Sequence, residues 1–104
     1  MMATEKDVRK IALGLGQTLE RPSYGTPGFF VGKKIFARLL EDGDSVVVKI
    51  DPERREILMQ ADPRAYFITE HYRNYPMMIV RLSKVATADL RELLQDAWRI
   101  ASGD

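Results

Sequence analysis

The sequence contains no cysteine, and this absence excludes several kinds of chemistry. Without a thiol the chain can form neither disulfide bonds nor thiolate intermediates, and it could bind zinc only through histidine and carboxylates. Histidine is also scarce, because His71 is the single one. This composition suits the reducing cytoplasm and argues against a zinc-dependent or thiol-dependent enzyme.

Long apolar runs are missing as well. Residues 1–10 are mostly polar, whereas a secretory signal needs an apolar stretch of about 7 to 15 residues. No segment approaches the ~20 apolar residues of a membrane span. We therefore expect a cytoplasmic protein that is neither exported nor embedded in a membrane.

Neither sign of charge is in excess. The 16 lysines and arginines oppose 15 aspartates and glutamates, for a formal net charge of +1. Any surface for nucleic acid must therefore come from local clustering of cations. A hydrophobic fraction of 45% and a charged fraction of 30% are typical of a globular protein. The length of 104 residues supports one hydrophobic core, so we predict a single domain over residues 1–104.

The beginning of the chain predicts a helix and then a long loop. Thr4 is a good N-cap residue, and apolar residues follow it at helical spacing until Gly16. The segment from Gly16 to Gly28 contains two prolines but no helical or strand periodicity. It predicts a loop of about a dozen residues.

Three strands are predicted next, over Phe29–Val31, Lys34–Leu40 and Ser45–Ile50. The Asp42-Gly43 pair favours a two-residue hairpin loop of type I′, because both of its positions need a positive φ. In that register opposed residues share a face of the sheet. One face is then wholly apolar, with Ile35, Ala37, Leu39, Val46, Val48 and Ile50. The other face carries Phe36, Arg38, Val47 and Lys49.

The remainder predicts two helices and two further strands. Asp51 caps the first of these helices, and Pro52 occupies its first position. Strands are predicted at residues 66–69 and 77–82, with a loop between them. Thr87 caps the last helix, whose apolar face consists of Leu90, Leu93, Leu94, Ala97, Trp98 and Ala101.

The order of elements is therefore α-β-β-β-α-β-β-α. Hairpin connections of this kind predict an α+β fold, with a mainly antiparallel five-stranded sheet and helices packed on one face. The opposite face is then open to solvent. Alternation along the last strand directs Met77, Ile79 and Arg81 to that open face.

Several segments together resemble a known family. They read RPSYGTPGF at residues 21–29, GKKIFARL at 32–39, VKIDPE at 48–53, HY at 71–72 with VRL at 80–82, and LRELL at 90–94 with AW at 97–98. In this order and spacing the chain resembles the MmcQ/YjbR family over nearly its whole length. The resemblance implies a fold like that of bacterial frataxin (CyaY-like), and a DNA-binding protein with a double-wing motif.

The open face provides the candidate binding residues. Cations neutralise phosphates and an aromatic ring can stack on a base, so this combination suits single-stranded nucleic acid or the edge of a groove. Lysines in the turn at residues 32–33 and just after it could reach a phosphate backbone as a wing. Arg54 and Arg55 form a second basic group on the middle helix. The candidate residues for nucleic acid or a partner are Lys33, Lys34, Phe36, Arg38, Lys49 and Arg81.

Two interpretations of this surface stay open. The first is a non-enzymatic DNA-binding protein that uses the open face and the hairpin turn. The second is a protein–protein interaction domain that uses the same face for an unknown partner. Both compete with a simpler explanation, in which the cations only keep one side of the sheet soluble while their alkyl stems cover apolar residues.

No catalytic residue, metal site or cofactor site is predicted. His71 lies beside Glu70 and Tyr72, without a visible set of converging ligands or an activated nucleophile. Ser23 and Tyr24 lie among turn residues, and the glycines match no phosphate-binding motif. The likeness to frataxin suggests iron binding as a hypothesis. However, the acidic residues of the first helix alternate with basic ones, and hard cations need clustered oxygen ligands. We therefore predict no specific iron site, and saturable, stoichiometric iron binding would contradict this.

Overall fold

The computed structural model describes residues 2–103 of the chain. This part contains three α-helices, six strands and two short 3₁₀ turns, at Glu70–Tyr72 and Leu82–Lys84. The elements are α1 (Glu5–Leu13), β1 (Thr18–Ser23), β2 (Thr26–Val31), β3 (Lys34–Leu39), β4 (Ser45–Lys49), α2 (Pro52–Ala61), β5 (Tyr66–Phe67), β6 (Met77–Arg81) and α3 (Thr87–Ser102).

The strands form one antiparallel sheet in the order β1-β2-β3-β4-β6-β5. Helices α1 and α3 pack together on one side of it, and the hydrophobic core lies between these helices and the sheet. Helix α2 lies against β5 and β6. The predicted α+β class and the packing of helices on one face are confirmed, although the sheet has six strands instead of five. Among residues 2–103, no helix combines the length and the apolar character that a bilayer span requires.

The capping predictions hold for two of the three helices. Thr4 and Asp7 form a reciprocal capping box at the start of α1, and the side chain of Asp51 accepts from the Arg54 amide at the start of α2. Helix α3 begins at Thr87 itself, with Ala86 in the cap position. Its apolar stripe is buried as predicted, apart from the half-buried Trp98, whose indole nitrogen donates to the Gly16 carbonyl at 2.8 Å.

The predicted loop from Gly16 to Gly28 is wrong, because most of it forms the β1–β2 hairpin. The turn is made by Tyr24 and Gly25, with φ of 53° and 84°. Two successive positive φ values define the tight turn that fits the twist of a hairpin. Pro22 lies opposite Pro27, next to the Ser23–Thr26 pair that closes the turn. Pairs in an antiparallel ladder alternate between hydrogen-bonded and non-hydrogen-bonded, and Pro22 and Pro27 form a non-hydrogen-bonded pair, which needs no backbone N–H from either residue. Prolines are therefore tolerated there, although they weaken the strand signal in the sequence.

The predicted β3–β4 register is confirmed: Ala37 pairs with Val48, and Leu39 pairs with Val46. The loop itself differs from the predicted type I′ turn, since only Gly43 has a positive φ. The Leu40 amide donates to the Ser45 carbonyl at 3.0 Å, which closes a four-residue loop. A four-residue loop centred on Asp42 and Gly43 gives the same strand register as the predicted two-residue turn. The predicted residue pairs are therefore observed although the turn type differs.

The predicted placements of Phe36 on the open face and of Ile35 on the core face are both wrong. Phe29 pairs with Ala37 and Phe30 pairs with Ile35, so β3 contains one extra residue, Phe36, opposite two adjacent residues of β2. This β-bulge resets the alternation of the strand. Phe36 is 0% exposed in the core, whereas Ile35 lines a cleft on the other side of the sheet.

Candidate nucleic-acid interface

The sheet separates its charges between its two sides. We call the side turned away from α1 and α3 the open face. The expectation that all of it is open to solvent is wrong, because Val47 and Ile79 at its centre are 1% and 2% exposed. The strands contain one acidic residue, Glu20, and it points to the helices, where its carboxylate accepts from the Arg9 guanidinium at 2.9 Å. This hydrogen bond holds the pKa of Glu20 below its ordinary value. The strands therefore present no carboxylate on the open face, and alternation places four cations there: Arg21, Arg38, Lys49 and Arg81.

Three of these cations are engaged by the protein itself. Arg38 donates to the carbonyls of Ser23 at 2.8 Å and Tyr24 at 3.3 Å and pairs with the Glu41 carboxylate at 3.4 Å, and its side chain is 12% exposed. Arg81 lies 4.7 Å from the ring centroid of Phe67 and donates to a carbonyl of the chain. Arg21 lies 4.2 Å from the centroid of Phe30. Arg38 is thus a support for the β1–β2 turn, while Arg21 and Arg81 lie over aromatic rings, where a cation is attracted to the ring face.

Lys49 differs from the other three because it has no hydrogen bond or ion pair among residues 2–103. It is half-buried, and burial lowers the pKa of its ammonium group. The positive charge of Lys34 lowers this pKa further. An anion placed beside Lys49 would favour the charged form and relieve both effects.

Lys33 and Lys34 are exposed at the β2–β3 turn, at one end of the sheet. Together with Trp98 they border a hollow that opens on the helix side of that end. The six candidate residues from the sequence therefore do not form one patch. Lys33, Lys34 and Lys49 are cations without partners in the described part of the chain, Arg38 and Arg81 are held by carbonyls, and Phe36 lies in the core.

The open face also contains a cleft with a volume of about 400 Å³. Its floor is apolar and consists of Ile35, Val47 and Met77. Tyr24 from the β1–β2 turn borders one side, and the 3₁₀ turn at 70–72 borders the other. The lining residues are Ser23, Tyr24, Ile35, Arg38, Val47, His71, Tyr72 and Met77.

Each side of the cleft is held by an arginine. Arg38 binds the backbone of the β1–β2 turn, as described above. Arg55 of α2 donates to four carbonyls of the segment after β5, with distances from 2.7 to 3.4 Å. This segment carries His71 and Tyr72, whose rings meet edge to face with centroids 4.7 Å apart. The backbones of both walls are therefore fixed by hydrogen bonds, and the Arg38 guanidinium also lies 5.4 Å from the centroid of the Tyr24 ring.

Tyr24 combines strain with exposure. Its φ of 53° lies in the left-handed region, which costs a residue with a Cβ atom roughly 1–2 kcal/mol. Its side chain is 91% exposed, so burial does not compensate for this strain. Asparagine or glycine would occupy the position more easily. An exposed aromatic residue in a strained turn is a candidate for contact with a ligand.

The YjbR family model matches residues 13–100. The chain belongs to the YjbR family. Three mycobacterial proteins, Rv2570 and MT2646 of Mycobacterium tuberculosis and Mb2600 of Mycobacterium bovis, are each 34% identical to it, in alignments that cover 93% of this chain and 87% of theirs. The crystal structure of Deinococcus radiodurans DR2400, a DUF419 domain, superposes with a TM-score of 0.85 at 28% identity, over 99% of this chain and 81% of that one. The family resemblance and the fold expected from the sequence are confirmed.

Sequence reasoning missed the residues that shape the cleft of this YjbR protein. It assigned Tyr24 to a loop and treated Arg55 as a surface cation. The sequence did contain a signal for the turn at Tyr24, since a Tyr-Gly pair with a proline close on each side can form a hairpin turn. No comparable signal marks Arg55, because its four acceptors belong to a segment about 20 residues away along the chain. Within residues 2–103 of the YjbR fold, no three side chains of the metal-binding kinds lie together.

Replacing Lys49 with methionine in the YjbR protein is expected to stabilise the fold at neutral pH, because methionine keeps the apolar contacts without a buried charge. Burial lowers the folded-state pKa of Lys49. Below the folded-state pKa, the charged ammonium group of Lys49 lowers the stability by its full amount. This loss of stability disappears as the pH rises from the folded-state pKa toward the unfolded-state pKa of ~10.4. Urea denaturation from pH 7 upward should show that the advantage of the variant shrinks as the pH approaches the unfolded-state value of ~10.4. A constant advantage across this range would contradict the assignment.

Proposed function

We propose that this YjbR protein is a non-enzymatic nucleic-acid-binding protein that uses its open face, with DNA as the first ligand to test. One observation carries the proposal: the strands direct cations and no carboxylate to that side, although the whole chain is nearly neutral. Such a one-sided distribution attracts a polyanion that the net charge alone would not. Membership of the YjbR family is consistent with this function but does not by itself establish it.

The proposed contacts fall into two groups. Lys49, together with Lys33 and Lys34 at the end of the sheet, would neutralise phosphates, which positions a strand without reading its sequence. The aromatic residues around the cleft would contact bases. Each neutralised phosphate releases counterions, so the affinity should fall steeply as the salt concentration rises. The turn that carries Lys33 would correspond to one of the wings implied by the family resemblance.

The salt dependence of binding gives the test. We expect fluorescence anisotropy with labelled oligonucleotides to show binding at low salt, with a slope of log affinity against log salt that reflects several phosphate contacts. The Lys49→Met variant should lower the magnitude of this slope by about 0.7 to 0.9. The matched control is Lys10→Met, which removes an exposed cation from α1, on the other side of the sheet. Equal effects of the two substitutions would contradict a specific role for the open face.

A protein partner is the second candidate, and exposed apolar residues favour it. Leu19, which lies beside Phe30 in the sheet, is 59% exposed, and Tyr75, next to the wall of the cleft, is 56% exposed. This alternative predicts no binding of nucleic acid even at low salt. Affinity for an oligonucleotide that depends on Lys49 but not on Lys10 would exclude it as the main function of the face.

A further inference from the structure

We propose that the cleft between Tyr24 and Tyr72 receives one unstacked nucleobase, which makes single-stranded nucleic acid the preferred ligand of this protein. The inference rests on the proposed function and goes beyond it, because cations alone do not distinguish a single strand from a duplex. Both residues line the cleft. Tyr24 belongs to the turn of the β1–β2 hairpin at one edge of the sheet and Tyr72 to the segment between β5 and β6 at the other, with the apolar floor on β3, β4 and β6.

The shape of the cleft suits a flat ring. Its volume of about 400 Å³ lies in the range of roughly 300–1,000 Å³ that is usual for small-molecule sites. Ile35 and Met77, which are partly exposed, offer an apolar surface to a desolvated ring beside the buried Val47, while Ser23 and His71 provide polar groups at the border. A base in a duplex is stacked on both faces and cannot enter such a cleft, whereas a base in a single strand can.

The charges around the cleft suit the backbone that a base would bring with it. Lys49 neighbours the floor residue Met77 across the β4–β6 pairing and follows Val47 by two residues on the same face. Two residues along a strand span about 7 Å, so a phosphate attached to a seated base lies within reach of the Lys49 ammonium group. The strands direct no carboxylate to this face, although Glu41, just after β3, pairs with Arg38 at the border of the cleft at 3.4 Å.

The strained turn indicates which ring makes the contact. Tyr24 is held in place through its backbone by Arg38, and its ring is almost fully exposed. On the opposite side, Arg55 holds the carbonyl of Tyr72. Walls that are fixed before binding reduce the entropy lost when a ligand is bound. The Arg38 guanidinium lies 5.4 Å from the centroid of the Tyr24 ring, and the ring stays 91% exposed. A stacking role for this exposed ring would explain a tyrosine in a position that asparagine fits better.

The test compares two substitutions at one position. Tyr24→Asn removes the ring and suits the left-handed turn, so the thermal midpoint of this variant should rise. Tyr24→Phe keeps the ring. The probes are a labelled oligothymidine of about ten nucleotides, the same backbone with abasic sites, and a duplex of equal length. With the first probe, Tyr24→Asn should weaken binding by roughly 5-fold to 100-fold without changing the salt slope, and Tyr24→Phe should bind like the wild type.

The other probes, together with Lys49→Met, test the base-cleft proposal separately from the nucleic-acid-binding proposal. The abasic strand and the duplex should bind more weakly than oligothymidine and should be indifferent to Tyr24→Asn. If oligothymidine binds Tyr24→Asn and the wild type equally, while Lys49→Met still lowers the salt slope, then the base cleft is wrong and the nucleic-acid function stands. If no probe binds the wild type at low salt, then both fail.

Discussion

Replacing Phe36 with alanine is expected to destabilise the protein by about 3–5 kcal/mol. The side chain is 0% exposed and belongs to the core between the sheet and the helices. Its removal loses the transfer free energy of the ring and leaves a cavity that the surrounding residues fill only in part. Urea denaturation measures the loss as a shift of the midpoint at an unchanged m value.

Two further substitutions calibrate this result. Phe36→Leu keeps most of the volume and should cost less than about 1.5 kcal/mol. Tyr75→Ala removes an aromatic ring that is 56% exposed, and it should change the stability by about 0.5 kcal/mol or less. A cost below roughly 1 kcal/mol for Phe36→Ala would place the ring on the open face. That result would contradict the β-bulge in β3.

Replacing Arg55 with alanine is expected to destabilise the protein by about 2–4 kcal/mol and to loosen one wall of the cleft. Its guanidinium donates to the carbonyls of Tyr72, Arg73, Tyr75 and Met77. Hydrogen bonds from a charged donor contribute about 1.5–3 kcal/mol each where they are buried, and those to the exposed residues contribute less. Hydrogen exchange should show faster exchange in residues 70–76, together with the loss of global stability measured in urea.

Two arginine-site controls show whether the geometry of Arg55 matters beyond its charge. Arg55→Lys keeps the charge, but a compact ammonium group cannot reach four acceptors at once, so this variant should recover only part of the loss. Arg91→Ala removes an exposed arginine from α3 and should cost about 0.5 kcal/mol or less. If Arg55→Ala were as mild as Arg91→Ala, the wall would not depend on Arg55.

The features that depend on near neighbours in the chain could be predicted from the sequence. The Thr4 cap, the Asp51 cap and the apolar stripe of α3 are local patterns, and the structure contains all three. The β3–β4 register was also predictable, because the hairpin pairs two alternating apolar strands around Asp42 and Gly43. The one-sided placement of Lys49 follows directly from that register.

The features that depend on distant parts of the chain could not be predicted. Ile35, Phe36 and Ala37 form a continuous apolar run, so alternation alone does not show which of them a bulge removes from the pattern. Apart from the Glu41 carboxylate, which is three residues from Arg38, the acceptors of Arg38 and Arg55 lie well over ten residues away along the chain, and the sequence showed both only as free cations. The β1–β2 turn was missed because tyrosine is an unfavourable residue for a left-handed position.

These differences change which residues are proposed to bind. The sequence favoured Phe36 as the ring that stacks and Arg38 among the cations. In the structure Phe36 supports the core and Arg38 supports the β1–β2 turn. Tyr24 takes the place of Phe36 as the exposed ring, and Lys49 is the open-face cation that has no partner within residues 2–103. The proposed binding surface is still the same side of the sheet, but different side chains are proposed to make the contacts.

An NMR titration tests the proposed surface most directly. The ¹⁵N-labelled protein would be titrated with the oligothymidine probe at low salt while backbone amide shifts are recorded. We expect the largest shift changes at Lys49, at the Tyr24 turn and at residues 71–72, and we expect small changes along the outer sides of α1 and α3. Shift changes concentrated on those two helices, or none at all under these conditions, would contradict binding of nucleic acid by the open face.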